Sequence, residues 1–453
     1  MAGRTENTSP IVDQAAPTDT TTEEISSEKT VQLAQAAAAV QVNTDTRSNA
    51  RHFYAPLTRD GSDAEEISRD EAAVIEQADP HVNVVHAVTR DQVDHAKTKP
   101  AMLDYLRHAQ KKSGRRPMEL AWELIRLSRS RGKLTLQEYV EYGVFDTNRY
   151  SPEEQSQFLT NTLHWPITRI CCDMTWQATT EDKWLCSHIL ARSGVAVPET
   201  LAVIDKTERS YPGTHKISTA GQFRDFVTSQ DIVPFFGKEN RGICSFGAFV
   251  VQEPDENAVR LKGQSPLPYD TFMEQFVGET PYLIQRLETN HGFFDRYTES
   301  LATVRVCILL DKAGIKIPFA VLKLPSRQNV ADSFWRPGNL ACNLDTQSGK
   351  ILGVRSKDTF GTTEHAVHPE TGEPLLGEVV PMWDRVLNMA HRCAPIFHPV
   401  RYQSMDIAIT QAGPVLIEIN TGGGFDLPQL TSGKGFLTDE VCEFFRACGY
   451  LKL

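Results

Sequence analysis

The chain has 453 residues, of which 40% are hydrophobic and 23% are charged, and its formal net charge is −11. This length allows two or three domains, and the composition is typical of globular proteins. The negative charge argues against nucleic acid as a partner, because phosphate backbones attract clustered Lys and Arg. There is no apolar run of membrane-span length, no secretory-signal pattern and no C-x-x-C pair among the nine cysteines, so we expect a cytoplasmic protein with reduced thiols.

The N-terminal part divides by composition into a tail and a helical region. Residues 1–50 are rich in Thr, Ser, Ala and acidic residues, which predicts a disordered tail with one frayed helix at 28–40. Apolar residues at helical spacing indicate that residues 51–180 are mainly helical. The last residues, 441–453, are predicted to form a C-terminal tail.

Two helices are predicted within the helical region, at 118–129 and 136–145. The apolar stripe of the first helix consists of Met118, Leu120, Ala121, Leu124, Ile125 and Leu127. Basic stretches stand at 111–116 and 126–133, either as a solvated helix face, which we favour, or as an anion-binding patch.

A helix is predicted at 183–193, opened by Lys183 and ended by Gly194. Buried-strand patterns at 232–236 and 248–252 flank a glycine-bearing loop at 237–247. Backbone N–H groups of such a loop can bind phosphate, and Lys238 can neutralise phosphate oxygens. By itself, the loop is also compatible with an ordinary hairpin turn.

The run 282–288 is predicted to be a strand whose end could pair with an adenine edge, with Gln285, Glu288 or His291 nearby. The alternative is an ordinary surface strand end, with His291 in a solvated loop.

A further hairpin is predicted from strands 303–310 and 315–324. Arg305 and Lys323 are cations inside these apolar strands, where a charge is costly unless it is paired or meets a ligand. The partner is either a phosphate or carboxylate ligand, or an ion pair with Asp332 or Asp345.

A last hairpin is predicted from strands 405–409 and 415–419, joined by a turn at 411–414. Glu418 and Asn420 project from one face because they are two residues apart, and Asp406 on the partner strand can reach the same point. Two carboxylates and an amide oxygen suit Mg²⁺. The alternative is an ordinary hairpin with acidic residues at its solvent edge.

From about residue 182 to about residue 435, this order of elements resembles the ATP-grasp superfamily, and it looks closest to the sugar-transfer-associated branch related to glutamate ligases. The motifs that carry the closer resemblance are Ser-Leu-Ala-Thr-Val-Arg at 300–305, His-Pro-Glu-Thr-Gly at 368–372, Pro-Met-Trp at 381–383 and Gly-Gly-Gly-Phe-Asp-Leu-Pro-Gln-Leu at 422–430. The chain departs from the family pattern at Glu239, Ser333 and Pro337, which stand where relatives commonly have Pro, Asn and Gly.

The resemblance implies an α+β fold, in which the ATP-grasp domain at 181–440 clamps ATP between a smaller subdomain at 198–284 and a larger one at 285–440. It also implies roles for individual residues. The nucleotide-binding residues would be Lys183, Lys238, Gly242, Ser245, Gly247, Gln285, Arg286, Leu287, Glu288 and His291. The catalytic residues would be Arg305 and Lys323, and the ligands of Mg²⁺, or of Mn²⁺ in its place, would be Asp406, Glu418 and Asn420.

The activity implied by the resemblance is an ATP- and Mg²⁺-dependent ligase that joins a carboxylate to an amine through an acyl phosphate and releases ADP and phosphate. The substrates would be small molecules, such as an amino acid or a sugar acid. Two alternatives stay open at this point. One is a kinase that phosphorylates a hydroxyl of a small molecule or sugar, and the other is a non-catalytic nucleotide-binding relative.

Overall fold

The computed structural model describes residues 87–229 and 231–452. The predicted tail at 1–50, with its helix at 28–40, lies outside the described residues. The α-helices are α1 Ala87–Lys97, α2 Met102–Ser113, α3 Pro117–Ser128, α4 Leu136–Glu141, α5 Pro152–Gln155, α6 His164–Cys171, α7 Gln177–Glu181, α8 Lys183–Arg192, α9 Ala220–Val227, α10 Tyr269–Thr271, α11 Trp383–Cys393, α12 Asp426–Ser432 and α13 Asp439–Cys448.

The strands form two sheets, as expected for an α+β fold. The strands of the smaller sheet are β1 Thr200–Ile204, β2 His215–Ile217, β3 Phe235–Glu239, β4 Phe249–Glu253, β5 Ala258–Leu261, β6 Leu267–Pro268 and β7 Tyr282–Arg286. The strands of the larger sheet are β8 Thr303–Asp311, β9 Gly314–Lys316, β10 Ala320–Leu324, β11 Leu340–Leu344, β12 Ile351–Asp358, β13 Gly361–Glu364, β14 Tyr402–Ile409 and β15 Pro414–Thr421.

The smaller sheet has the strand order β2-β1-β7-β3-β4-β5-β6, in which β1 and β2 are parallel and the other pairs are antiparallel. Its core is aromatic, and the buried rings of Phe223, Phe235, Phe249 and Phe272 pack against one another. Gly237 lies opposite Phe249, and a Cβ at that position would collide with the ring. The ring therefore covers the backbone of β3 beside Lys238.

The larger sheet has the strand order β13-β12-β11-β10-β8-β14-β15, with β9 paired to β8. Side chains alternate between its two faces. Val304 and Val306 point to a core that includes residues of α8 and α11, whereas Cys307 and Leu309 point to a second core with α6 and α13. Arg305 shares the second face, so the helices that precede the smaller sheet pack beside the strand that carries it.

In the helical region, the helix predicted at 118–129 is confirmed as α3, whereas the one predicted at 136–145 forms only over Leu136–Glu141, as α4. One part of the predicted stripe is wrong. Leu120 and Leu127 are buried, but Met118 and Ile125 are 67% and 38% exposed. Helical spacing places residues on faces, but it does not say which face a neighbour covers. Among the described residues, no helix has the length and apolar character required to cross a membrane.

Proline shifted two predicted strands. The strand predicted at 232–236 begins only at Phe235, after Pro234, which has no N–H for a sheet ladder. The partner predicted at 315–324 is split into β9 and β10 around Pro318, and both pieces pair with β8.

We expect Phe249→Ala to lower the free energy of unfolding by about 3–5 kcal/mol, because a fully buried ring is lost from the aromatic core. Urea unfolding measures this change. The control is Leu352→Ala, since Leu352 is 52% exposed. A loss below about 1 kcal/mol at Phe249 would contradict the assigned packing.

Candidate functional site

Asp406 and Glu418 stand opposite each other on β14 and β15. Asn420 is two residues beyond Glu418, and its Nδ2 lies 3.4 Å from Glu418 Oε1. The register confirms the sequence-based prediction that the three oxygen-bearing side chains share one place. They lie on the face of the larger sheet that also carries Arg305.

Asp406 is bound by two cations from neighbouring strands. Arg305 donates from Nε and Nη2 to the two carboxylate oxygens at 2.8 and 2.7 Å. Lys323 Nζ lies 3.1 Å from Asp406 Oδ2 and 3.2 Å from Asp332. Of the two predicted ion-pair partners for Lys323, Asp332 is therefore confirmed. Asp345 instead accepts hydrogen bonds from Ser348.

This cluster is buried, since Asp406 and Lys323 are 3% and 5% exposed. Burial by itself would raise the pKa of Asp406, but the charges of Arg305 and Lys323 outweigh it and hold the pKa well below its usual range. Burial likewise disfavours the charge on Arg305, and Asp406 outweighs it, so the pKa of Arg305 is raised. Asp406 and Arg305 are therefore both charged at neutral pH.

Two lysines bring further positive charge near Glu418. Lys183 opens α8, its Nζ donates to the carbonyl of Gly242 at 2.5 Å, and it lies 4.0 Å from Glu418. Lys238 on β3 lies 3.4 Å from the carbonyl of Ile417. Burial lowers the pKa of Lys238 to about 8, a shift that Glu418 opposes and Lys183 reinforces.

Asn240 is a positioning residue that sequence reasoning missed. Its carbonyl accepts from the backbone N–H of Lys183, and its Oδ1 accepts from the backbone N–H of Trp184. The helix that carries Lys183 is thereby attached to the start of the glycine loop. No motif in the sequence marked Asn240, because the two helix residues that it binds are 56 and 57 residues away.

The glycine loop folds back over the cavity. Cys244 and Ser245 both adopt φ of +52°, a region that non-glycine residues rarely occupy. The carbonyl of Cys244 accepts from Ser333 Oγ at 2.6 Å and from Trp335 Nε1 at 3.1 Å. These hydrogen bonds attach the loop to segment 332–338, which connects β10 and β11 of the larger sheet.

Helix α1 links the glycine loop to segment 332–338 through Asp91. Asp91 accepts from the backbone N–H of Gly247 and from Arg336 Nη2, both at 2.8 Å, and Arg336 also donates to the carbonyl of Ser245. The ring of His95 lies 5.9 Å from that of Phe246. No motif in the sequence marks Asp91 or Arg336 as site residues. We call the contacts of Asp91 with Gly247 and Arg336 the α1 clasp.

One cavity of about 1740 Å³ connects these groups. It exceeds the roughly 300–1,000 Å³ of a site for one small ligand. Its lining includes most of the predicted site residues: Lys183, Lys238, Gly242, Ser245, Gln285, Arg286, Leu287, Glu288, Arg305, Lys323, Asp406, Glu418 and Asn420. Gly247 and His291 are not in the lining. The N–H of Gly247 is bound to Asp91, and the N–H of His291 donates to the carbonyl of Ile409.

Strand β7, whose end was predicted to pair with adenine, ends in the cavity. Gln285 is 2% exposed, and its Nε2 has no hydrogen-bond partner in the part of the chain that the structure describes. A buried donor of this kind is costly unless a ligand accepts from it. Burial raises the pKa of Glu288, and Arg286 forms an ion pair with Glu199 at 2.6 Å.

Part of the cavity wall, which we call the helical wall, comes from the helical region. It includes Glu138, Asn161 and His164, and Asp426 also lines the cavity. His164 accepts a hydrogen bond from the backbone N–H of Gly423 at 3.1 Å, and burial lowers its pKa to about 4, so the ring is neutral. This wall presents acidic and neutral polar groups.

The donor set fits a hard cation only in part. Within residues 87–229 and 231–452, no three or more His, Cys, Asp and Glu side chains cluster as metal ligands. Glu418 and Asn420 have side-chain oxygens with lone pairs that a cation can use. Asp406 already accepts three hydrogen bonds, and a carboxylate has about four lone-pair positions, so it retains one. Such a set suits Mg²⁺, which binds few protein oxygens and completes its shell with phosphate and water.

A profile of the family described as sugar-transfer associated ATP-grasp matches residues 173–443. A search of curated proteins finds no match.

Several solved structures are similar to the chain. The VanG D-Ala:D-Ser ligase from Enterococcus faecalis is 15% identical, with a TM-score of 0.36, over 62% of this chain and 64% of the ligase, so the match spans less than two thirds of that protein. The D-alanine–D-alanine ligase from Bacillus anthracis is 13% identical, with a TM-score of 0.36, over 64% of this chain and 76% of that one. At these identities and scores, the structures carry no information on the substrates.

We expect Asp91→Ala to increase amide hydrogen exchange at residues 244–247 by about 5- to 150-fold, because the buried N–H of Gly247 and the Arg336 guanidinium lose their acceptor. Hydrogen exchange with mass spectrometry measures this change. The matched control is Asp94→Ala on the same helix, whose carboxylate is 58% exposed. Equal exchange in the two variants would show that the α1 clasp does not restrain the loop.

Proposed function

Because the chain belongs to the sugar-transfer-associated ATP-grasp family, whose profile covers more than half of it, we propose that it is an ATP-dependent ligase that joins a carboxylate to an amine. The proposal is carried by one observation: four cations and three oxygen-bearing side chains converge on a single cavity with room for more than one ligand. The converging residues are Lys183, Lys238, Arg305, Lys323, Asp406, Glu418 and Asn420.

The nucleotide would lie between the two sheets. Lys183 donates to the carbonyl of Gly242 in the glycine loop, and Lys238 lies on β3 where that loop begins, so both would bind the phosphates of the nucleotide. The unpaired Nε2 of Gln285 would donate to the adenine ring. A glutamate commonly stands at this position in the family, so Gln285 replaces a charged group with a neutral amide that can still donate.

Glu418 and Asn420, with the remaining capacity of Asp406, would hold Mg²⁺ or Mn²⁺. Bound there, the metal would neutralise charge on the phosphates. The metal and the cations share Asp406, so this carboxylate would couple phosphate position to the position of Arg305.

The proposed reaction has two steps. A substrate carboxylate oxygen attacks the γ-phosphorus, the bond to the bridging oxygen breaks, and ADP leaves. The amine loses its ammonium proton to solvent, attacks the acyl carbon, releases a second proton and displaces phosphate to form the amide. Arg305 and Lys323 would stabilise the negative charge that develops in both steps. This chemistry needs no nucleophilic side chain, because positioning and electrostatics supply the rate enhancement.

The part of the cavity beside the helical wall would receive the amine substrate. Glu138 and Asp426 would attract a protonated amine, and the neutral imidazole of His164 adds no opposing charge. Polar walls of this kind suit an amino acid or a sugar-derived substrate. The volume of the cavity supports a nucleotide and an acceptor bound at the same time.

We expect the protein to release ADP and phosphate when ATP and Mg²⁺ are supplied with the correct amino acid or sugar acid, and mass spectrometry should detect an amide. Glu418→Gln should lower this turnover by about 100-fold or more, because a metal ligand loses its charge. The control is Glu256→Gln, since Glu256 is exposed on a loop. A phosphomonoester product would instead show a kinase, and an absence of ADP release with every acceptor would contradict catalysis.

The proposed role of Lys238 predicts a pH dependence. Since its pKa is about 8 without nucleotide, the side chain loses its charge as the pH rises above 8. Phosphates favour the charged form, so ATP binding should take up a proton there and weaken by at most about tenfold per pH unit. In the unliganded protein, the same lowered pKa adds stability as the pH rises from about 8 to about 10.4, because the unfolded chain binds more protons.

Calorimetric titration with ATP at pH 7 and pH 9, in buffers of different ionisation enthalpy, measures both affinity and proton uptake. Lys238→Met should remove the pH dependence, whereas Lys312→Met, at an exposed turn, should retain it. Identical pH profiles for the wild type and Lys238→Met would contradict the role of Lys238.

A further inference from the structure

Helix α3 is apolar on two opposite faces. Leu120 and Leu127 point into the core of the helical region. On the other side, Met118, Trp122 and Ile125 are 67%, 66% and 38% exposed. Spacings of four and three residues place these three side chains on one helical face. A helix with an apolar outer face is typical of a surface that binds something else.

The charge around this face differs from that of the whole chain. Residues 111–133 contain eight basic and two acidic residues, although the protein has a net charge of −11. Both acidic residues are already paired within the segment, Glu119 with Arg116 at 2.6 Å and Glu123 with Arg115 at 3.0 Å. The exposed cations that border the apolar face are Lys111, Lys112, Arg126, Arg129 and Lys133.

The neighbouring helix α2 adds exposed apolar side chains to this surface. Met102 and Leu103, at the start of α2, are 60% and 65% exposed, and α2 packs beside α3. No residue between 100 and 134 lines the cavity. The surface is thus separate from the candidate active site, and it lies outside the segment matched by the family profile.

We propose that α3 docks the protein reversibly onto a membrane surface rich in anionic lipid. An exposed tryptophan with flanking apolar side chains inserts at the level of lipid headgroups, and a basic border is attracted to negative headgroups. Phosphate backbones of nucleic acid would satisfy the cations, but they offer no apolar phase for Met118 and Ile125. The helix has 12 residues and lies on the membrane surface rather than crossing it.

The experiment is flotation of the full chain with vesicles of phosphatidylcholine alone and with vesicles of equal parts phosphatidylcholine and phosphatidylglycerol. We expect binding to the anionic vesicles and loss of binding at high salt, because salt screens the basic border. Equal binding to both compositions, or binding to neither, would overturn the proposal.

Variants test the face itself. The pair Trp122→Ser and Met118→Ser should weaken vesicle binding about tenfold or more, and so should the pair Lys111→Glu and Lys112→Glu. The matched control is Leu352→Ser, an exposed apolar residue on β12, which should bind as the wild type does. Circular dichroism verifies that each variant is folded.

Unchanged vesicle binding in both variant pairs would overturn the proposal. A second outcome would also overturn it: the wild type does not bind vesicles, but it self-associates in sedimentation, and the double variant at Trp122 and Met118 loses this self-association. The face would then bind a second copy of the chain. ADP release in solution should be unaffected in all these variants, so failure of this proposal is distinguishable from failure of the proposed activity.

Discussion

A buried carboxylate with two cations joins three adjacent strands at the floor of the cavity. Asp406 on β14 is held by Arg305 on β8 and by Lys323 on β10. Removing one member of such a group costs about 3–5 kcal/mol, because the others are left charged and unpaired. The same cations are the ones that a transferred phosphoryl group would meet. In the proposed reaction, a bound anionic substrate would therefore compete with Asp406 for these two cations.

The walls of the cavity come from parts of the chain that lie far apart in sequence. The glycine loop covers the lysines, segment 332–338 holds the loop through Ser333 and Trp335, and α1 fastens both through Asp91. Residues 87–172 lie outside the segment that matches the family profile, yet they contribute the α1 clasp and the helical wall of the cavity. In the proposed reaction, Glu138 from this region and Asp426 from the matched segment would together receive the amine.

Several site residues could be predicted from sequence because their signals are local. A helix that starts at Lys183 follows from the cap at Asp182 and the stop at Gly194, and the pairing of Asp406 with Glu418 follows from two strands of period two. Asp91 could not be predicted in this way. It contacts residues 156 and 245 positions away and belongs to no motif. The partner of Lys323 was equally undecidable, since Asp332 and Asp345 are both close in sequence.

By itself, the sequence determined which residues share a face of a helix or strand, because backbone geometry repeats every 3.6 or two residues. Only the tertiary structure decided which faces are covered and which charges meet. The spacing of Met118 and Ile125 is as regular as that of Leu120 and Leu127, yet the first pair is exposed, since neighbouring helices pack on one side of α3 alone. Lys323 is bound by Asp406 because β10, β8 and β14 are adjacent in the sheet, an order that spacing along the chain does not encode.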